Sequence, residues 1–136
     1  MSLIDISGVD HVALQVKDLK RSVSFYEKVF GLQIKEDKSD ENWIIIGLKD
    51  KIYLCLYQTT EVNLTSNTIY HWGFHVNPGQ SLHEISRELQ AQGVGIEYLE
   101  DNPDGVVEGK ISQSLYVLDP DGYTIELSSV FGGGLA

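Results

Sequence analysis

The feature that most constrains this fold is an internal repeat of one order of strands and helices. The first half predicts a strand at 8–16, a helix that begins after Asp18 and ends at Gly31, and three further strands. The second half predicts the same order, with a strand at 69–76 and a helix that opens on a Ser81 to Glu84 capping box. His11 and His71 occupy equivalent places 60 residues apart. A repeat of this length predicts duplicated structural modules.

The repeat predicts an α+β fold of two tandem βαβββ modules that form one cupped, mixed sheet. The modules span about residues 8–58 and 69–130, and together they form a single domain over residues 1–136. A glycine-rich tail at 131–136 is expected to be flexible. The segment "DNPDGVVEGK", residues 101–110, is predicted to be a long loop, either a lid over a substrate or a simple connection.

Composition limits the classes of function. Ten Lys and Arg against 20 Asp and Glu give a net charge of −10, which repels phosphate backbones and anionic lipid. No apolar run approaches the ~20 residues needed to cross a bilayer. Cys55 is the single cysteine, so an internal disulfide is excluded, as is typical of a reducing compartment. We therefore expect a cytoplasmic protein whose partner is a small molecule, neither nucleic acid nor membrane.

Strand alternation selects the side chains that share the open face of the sheet. In the first strand, His11 faces away from the helix side, where the apolar residues pack. In the second module, His71 and His75 share the open face with Glu126 of the last strand. Two imidazoles and a carboxylate can hold Mn, Fe, Ni or Zn with coordination positions left open. The predicted ligands of one divalent ion are His11, His71 and Glu126.

Two other residues have open alternatives. His75 lies four residues beyond His71, roughly 13 Å along a strand, so one ion cannot take both. We interpret His75 as a wall residue that contacts substrate or hydrogen-bonds within the protein. Trp43 either lines the pocket or serves strand packing, which is the commoner role of strand aromatics.

The motifs "FYEKVFGL" and "LYVLDPDGYTIEL", with the strands "DHVALQV" and "YHWGFHV", resemble the vicinal oxygen chelate superfamily over residues 9–128. That superfamily includes glyoxalase I, fosfomycin-resistance proteins, extradiol dioxygenases and bleomycin-resistance proteins. The resemblance implies that the metal ligands are His11, His71 and Glu126, which alternation also selects.

The motifs look most similar to those of the fosfomycin-resistance thiol transferases. This likeness implies a thiol cosubstrate such as glutathione, and a ligand contacted by Ser114 and Tyr116 with Lys110 as a nearby cation. We also expect a homodimer. Glu126 and Tyr116 are the expected catalytic residues. Glyoxalase I members usually add a glutamate from the fourth strand. Leu54 matches that position here, or Cys55 if the register shifts by one, and a leucine cannot bind metal.

The function predicted is that of a divalent-metal-dependent enzyme acting by thiol addition or by lyase or isomerase chemistry. An alternative from another class is a metal-free protein that sequesters a drug, as bleomycin-resistance proteins do, and the net charge of −10 suits a cationic drug. An extradiol-type dioxygenase is a further alternative, although single-chain members of that type are usually longer.

Overall fold

The structure, a computed structural model, describes residues 2–62, 71–77, 80–107 and 110–129, with the backbone alone between 102 and 112. The chain divides into two compact units, Met1–Asn63 and Leu64–Ala136, which correspond to the two predicted modules. The predicted tail at 131–136 and the start of the predicted strand at 69–70 lie outside the described residues. That the modules form a single domain remains a prediction.

The first unit is a four-stranded mixed sheet with one long helix. The elements are β1 (His11–Val16), α1 (Leu19–Phe30), β2 (Gln33–Lys38), β3 (Trp43–Leu48) and β4 (Ile52–Gln58). The sheet order is β1-β4-β3-β2, in which β1 and β4 are parallel and the other neighbours are antiparallel. A short 3-10 turn, Ser39–Glu41, joins β2 and β3.

The second unit repeats this topology. The elements are β5 (Trp72–His75), α2 (Leu82–Ala91), β6 (Ile96–Val107), β7 (Lys110–Leu118) and β8 (Thr124–Ser128). The sheet order is β5-β8-β7-β6, again with one parallel pair, β5 with β8. The predicted α+β class and tandem βαβββ modules are therefore confirmed.

Both helices begin where their capping residues predict, and α1 also ends at its predicted residue. The Asp18 carboxylate accepts a hydrogen bond from the Arg21 backbone N–H at 3.1 Å, and the Ser81 hydroxyl accepts one from the Glu84 N–H at 3.3 Å. Gly31 ends α1 with φ of 71°, a left-handed conformation that costs glycine little. These contacts are local, which explains why sequence alone located the helices.

The core of each unit lies on the helix side of its sheet. Leu14 and Val16 of β1 are buried, while His11, Ala13 and Gln15 of the same strand are exposed. In β8, Ile125 and Leu127 are buried on the corresponding side. The predicted alternation is therefore confirmed for β1, whereas in β8 both faces are buried, because Glu126 and Ser128 are buried as well.

The prediction of a loop at residues 101–110 is wrong for most of that segment. Strand β6 continues to Val107 and β7 begins at Lys110, with Asn102 paired to Ser112 and Val107 to Lys110. The register shifts between these two pairs, so the segment is an irregular β-hairpin. Its Gly and Pro residues predicted a loop, but pairing with β7 extends the strand.

The "DPDG" segment is a structural turn. Asp119 is buried, and its Oδ1 accepts hydrogen bonds from the backbone N–H groups of Asp121 and Tyr123, each at 2.9 Å. The turn delivers the chain into β8 in a fixed register. In the part of the chain described, no helix has the length and apolar character required to span a bilayer.

Candidate functional site

Three strands of the second unit place polar side chains on the open face of its sheet. Glu126 of β8 is paired with Gly73 of β5 on one side and with Tyr116 of β7 on the other. A β-carbon added at Gly73 would lie 3.3 Å from the backbone oxygen of Glu126, so glycine avoids a tight contact between the two paired strands. His71 immediately precedes β5.

His71 and Glu126 form the central pair of this site. The Nε2 atom of His71 lies 3.2 Å from Oε1 of Glu126. Two ligands that each lie about 2.1 Å from one ion, at angles of about 90–110°, are about 3.0–3.4 Å apart. The pair therefore has the spacing of two neighbouring ligands, and its atom types suit Mn, Fe, Ni or Zn.

The second oxygen of Glu126 is held by hydroxyl groups. Ser114 donates a hydrogen bond to Oε2 at 3.1 Å and Ser128 donates one at 2.5 Å. All three residues are buried, with 9% exposure for Glu126, 8% for Ser114 and 6% for Ser128. The carboxylate is thus hydrogen-bonded on one oxygen and faces an imidazole with the other.

The environment of Glu126 favours its ionised form. Burial by itself would raise the pKa of Glu126, but hydrogen bonds from Ser128, Tyr116 and Ser114 lower it, and the nearby His71 acts in the same direction. The resulting pKa lies below the ordinary value for glutamate. A buried carboxylate that stays charged is suited to binding a cation.

Tyr116 lies over this pair and keeps its proton. Burial is the main cause that raises the pKa of Tyr116, and its hydrogen bonds to Glu126 and Tyr98 add to the effect. Its ring meets the His71 ring edge-on at 5.5 Å between centroids. A protonated phenol can donate a hydrogen bond to an oxyanion that develops beside it.

Tyr98 also belongs to the site, and sequence reasoning missed it. Its ring stacks on the ring of Tyr116 at 4.4 Å between centroids, and the Tyr98 residue is 51% exposed. A register shift between Ile96 and Tyr98 breaks the two-residue alternation, so Tyr98 pairs with Tyr116 on the open face. Without that bulge, Tyr98 would share the side of Ile96, and no pattern in the sequence marked the change.

His11 lies in the first unit, exposed at the start of β1. Its Nδ1 atom lies 2.8 Å from Oδ1 of Asp10. A carboxylate at Nδ1 favours a proton on that nitrogen and leaves Nε2 as the ligand atom. The predicted ligands thus divide between the units, with His11 in one and the pair His71 and Glu126 in the other.

The register of the first unit corrects the assignment of the fourth-strand position. Leu54 is paired with Val12 and is fully buried on the helix side, so it does not occupy the open face as first matched. Cys55 is paired with Ala13 and is half-buried on the face that His11 shares. Burial, together with the charge of Asp10, raises the pKa of the Cys55 thiol, which disfavours the thiolate that metals bind.

The structure describes the side chains of two of the remaining predicted site residues, Trp43 and His75. Trp43 is half-buried in β3, paired with Tyr57 on the open face of the first unit. His75 is exposed in β5, and its partner in β8 is Ser128. The side chain of Lys110 lies outside the described residues. Among the side chains that the structure describes, no group of three or more His, Cys, Asp or Glu residues is assembled to hold a metal ion.

A family model described as the Glyoxalase/Bleomycin resistance protein/Dioxygenase superfamily matches residues 8–127. This match spans most of the chain, so the protein belongs to that superfamily. The resemblance drawn from the sequence motifs is confirmed at this level.

Particular relatives come from several branches of the superfamily. The metallothiol transferase FosB of Staphylococcus epidermidis is 28% identical over 129 residues, which cover 91% of this chain and 82% of that protein. A lactoylglutathione lyase of Escherichia coli O157:H7 is 27% identical and covers 86% and 88%. A probable trivalent organoarsenical cleaving enzyme of Bacillus subtilis is 26% identical and covers 82% and 73%.

Among solved structures, the fosfomycin resistance protein FosX from Listeria monocytogenes superposes with a TM-score of 0.74 at 22% identity. It covers 96% of this chain and 100% of FosX. At that identity the likeness establishes the fold.

Proposed function

We propose that this protein is a divalent-metal-dependent enzyme that acts on a small substrate with neighbouring oxygen atoms. Its reaction is thiol addition or a lyase or isomerase step. The observation that carries the proposal is the pair of His71 and Glu126, whose facing atoms are 3.2 Å apart. A buried carboxylate with a lowered pKa beside an imidazole supplies two of the donors that such an ion requires.

The third ligand in this proposal is His11. It stands in the first repeat where His71 stands in the second, and its contact with Asp10 leaves Nε2 available. When bound, the ion supplies a Lewis acid that polarises the substrate oxygens. One ion of Mn, Fe, Ni or Zn suits two imidazoles and a carboxylate.

The side chains around the pair have distinct proposed roles. Tyr116 holds a proton on its phenol oxygen and donates it in a hydrogen bond to a developing oxyanion. Glu126 binds the cation through its charge, and Ser114 faces the same side. His75, Lys110 and Trp43 are proposed to contact the substrate.

The relatives support a thiol as the second reactant. FosB is named a metallothiol transferase, and the Serratia marcescens relative, 26% identical, is named a glutathione transferase. Lactoylglutathione lyases also take their name from a glutathione compound. We propose a thiol cosubstrate such as glutathione for this chain, in a cytoplasmic homodimer.

One observation favours a second candidate, a metal-free protein that binds a cationic drug. The net charge of −10 would attract a cation and hold it without chemistry. The pair of His71 and Glu126 argues for the enzyme, because sequestration does not require convergent metal ligands.

Metal retention separates these two candidates. We expect wild-type protein, loaded in turn with Mn, Fe, Ni or Zn and dialysed, to retain about one ion per chain by elemental analysis. His71→Ala should lose it, whereas His83→Ala, a surface histidine on α2, should not. His75→Ala should also retain the ion. A wild-type protein that retains none of the four metals would exclude the enzyme proposal and leave the binding protein.

Two assays then distinguish the reactions. Loaded protein is mixed with fosfomycin and either glutathione or another thiol, and loss of the thiol is followed. In parallel, the glutathione hemithioacetal of methylglyoxal tests lyase chemistry. Activity in either assay that is lost in His71→Ala and kept in His83→Ala identifies the reaction class. Light scattering reports whether the mass is twice 15.2 kDa, as a homodimer requires.

A further inference from the structure

The two oxygens of the Glu126 carboxylate have different surroundings. Oε1 faces Nε2 of His71 at 3.2 Å, whereas Oε2 accepts hydrogen bonds from Ser114 and Ser128. An ionised carboxylate offers about four lone-pair sites, and two of those on Oε2 are used by these hydroxyls. The group therefore presents one oxygen toward the imidazole.

The strand register builds this arrangement. Ser114 and Ser128 are directly paired across β7 and β8, and Ser128 lies two residues beyond Glu126 on the same face. Both serines are buried, which limits the access of water to Oε2. Side-chain rotation of Glu126 would break both of these hydrogen bonds at once, and hydrogen bonds lost by a buried carboxylate are costly, although Tyr116 is a third partner of the same group.

We propose that Ser128, together with Ser114, is a positioning residue that fixes Glu126 as a one-oxygen ligand with Oε1 directed to the metal. This inference rests on the proposed metal-dependent function and goes beyond it. It also gives Ser114 a role toward Glu126 in addition to any contact with substrate. Loss of an outer partner of a metal ligand typically weakens metal binding by about 10–100-fold.

The test measures Mn²⁺ affinity of metal-free protein by titration calorimetry. Ser128→Ala should raise the Kd by about 10–100-fold, and Ser128→Thr, which keeps a hydroxyl, should restore it to near the wild-type value. Ser114→Ala should weaken binding in the same direction. The matched control is Ser86→Ala, which removes a buried hydroxyl from α2 and should leave the Kd unchanged.

Carboxylate infrared bands of the loaded protein give a second readout. In wild type, the splitting of the symmetric and antisymmetric stretches of Glu126 should be that of a one-oxygen ligand. In Ser128→Ala it should narrow toward two-oxygen binding, a change that general loosening of the fold would not produce. Circular dichroism tests whether each variant is folded. If Ser128→Ala is unfolded, Ser114→Ala is used for the same measurements.

The outcomes separate the two proposals. If wild type binds Mn²⁺ and the folded Ser128→Ala and Ser114→Ala variants bind it equally well with unchanged bands, the positioning role is wrong and the metal site stands. If wild type binds none of Mn, Fe, Ni or Zn, the proposed function itself is overturned, and the positioning role with it.

Discussion

In the first module, pairing of β1 with β4 aligns Ala13 with Cys55, and in the second, pairing of β5 with β8 aligns Gly73 with Glu126. The same correspondence extends through the neighbouring strands. Because each pairing has the same register, four open-face positions can be equated between modules: Trp43 with Ser114, Ile45 with Tyr116, Cys55 with Glu126, and Tyr57 with Ser128.

The helix sides of the modules are alike, and the open sides are not. Leu54 and Ile125 are equivalent, fully buried positions on the helix side. On the open side, the second module has a carboxylate with three hydroxyl partners, where the first has a thiol among apolar and aromatic groups. Packing constrains one face of a repeated sheet, while the other can diverge in chemistry.

The largest expected difference is in metal binding. Glu126→Ala should weaken metal binding by more than about 100-fold, since loss of a ligand should exceed loss of its outer partner. Cys55→Ala, its counterpart in the first module, should leave metal content unchanged because the thiol stays protonated. Elemental analysis after dialysis measures both. Metal loss in Cys55→Ala would mean that the first module also supplies a ligand from β4.

The buried pair tests the likeness of the helix sides. Leu54→Ala and Ile125→Ala should each lower the free energy of unfolding by about 2–5 kcal/mol, since each leaves a cavity in a packed core. Urea denaturation measures the change, and the exposed Ile34→Ala should stay within about 0.5 kcal/mol of wild type. A small cost at only one of the two buried positions would break the equivalence.

Helix capping should contribute less to the free energy of unfolding than core packing does, and the contribution should be the same in the two modules. Asp18→Ala and Ser81→Ala each remove the side-chain acceptor of a helix N-terminus and should cost about 1 kcal/mol. Asp18→Asn and Ser81→Thr keep an acceptor oxygen and should recover most of the loss. Urea denaturation that finds the alanine and rescue variants equally stable would contradict this role.

The smallest expected difference between the modules is in the pH dependence of stability, and it arises from Glu126. Its pKa is lowered on folding, so the ionised carboxylate adds stability above its ordinary pKa of 4.5, and this is lost as the pH falls through the lowered value. When the pH is lowered from 7 to about 3, wild type should therefore lose more of its unfolding free energy than Glu126→Gln does. A difference that stays constant would show that Glu126 titrates normally.

Local signals made the helices and the paired histidine and glutamate predictable. Asp18 and Gly31 cap the two ends of α1 through contacts that each lie within one helical turn. Alternation along β8 suffices to place Glu126 on the open face. Features that depend on pairing between strands were not predictable. The bulge that turns Tyr98 toward Tyr116 arises from the register of β6 with β7, and so does the extension of β6 to Val107.

The assignment of Leu54 failed for a related reason. Resemblance gave the position to within one residue, but one residue along a strand reverses the face. Only the pairing of β1 with β4 decides that Cys55, and not Leu54, shares the face of His11.

The two tryptophans fall one in each module, Trp43 in β3 and Trp72 in β5. Trp72 directly follows His71 and lies 5.8 Å from the Tyr123 ring between centroids. Each module therefore contains its own fluorophore. In a Trp43→Phe protein, tryptophan emission would come from the indole beside His71 alone, and quenching by paramagnetic Mn²⁺ would give an optical signal of events at that strand.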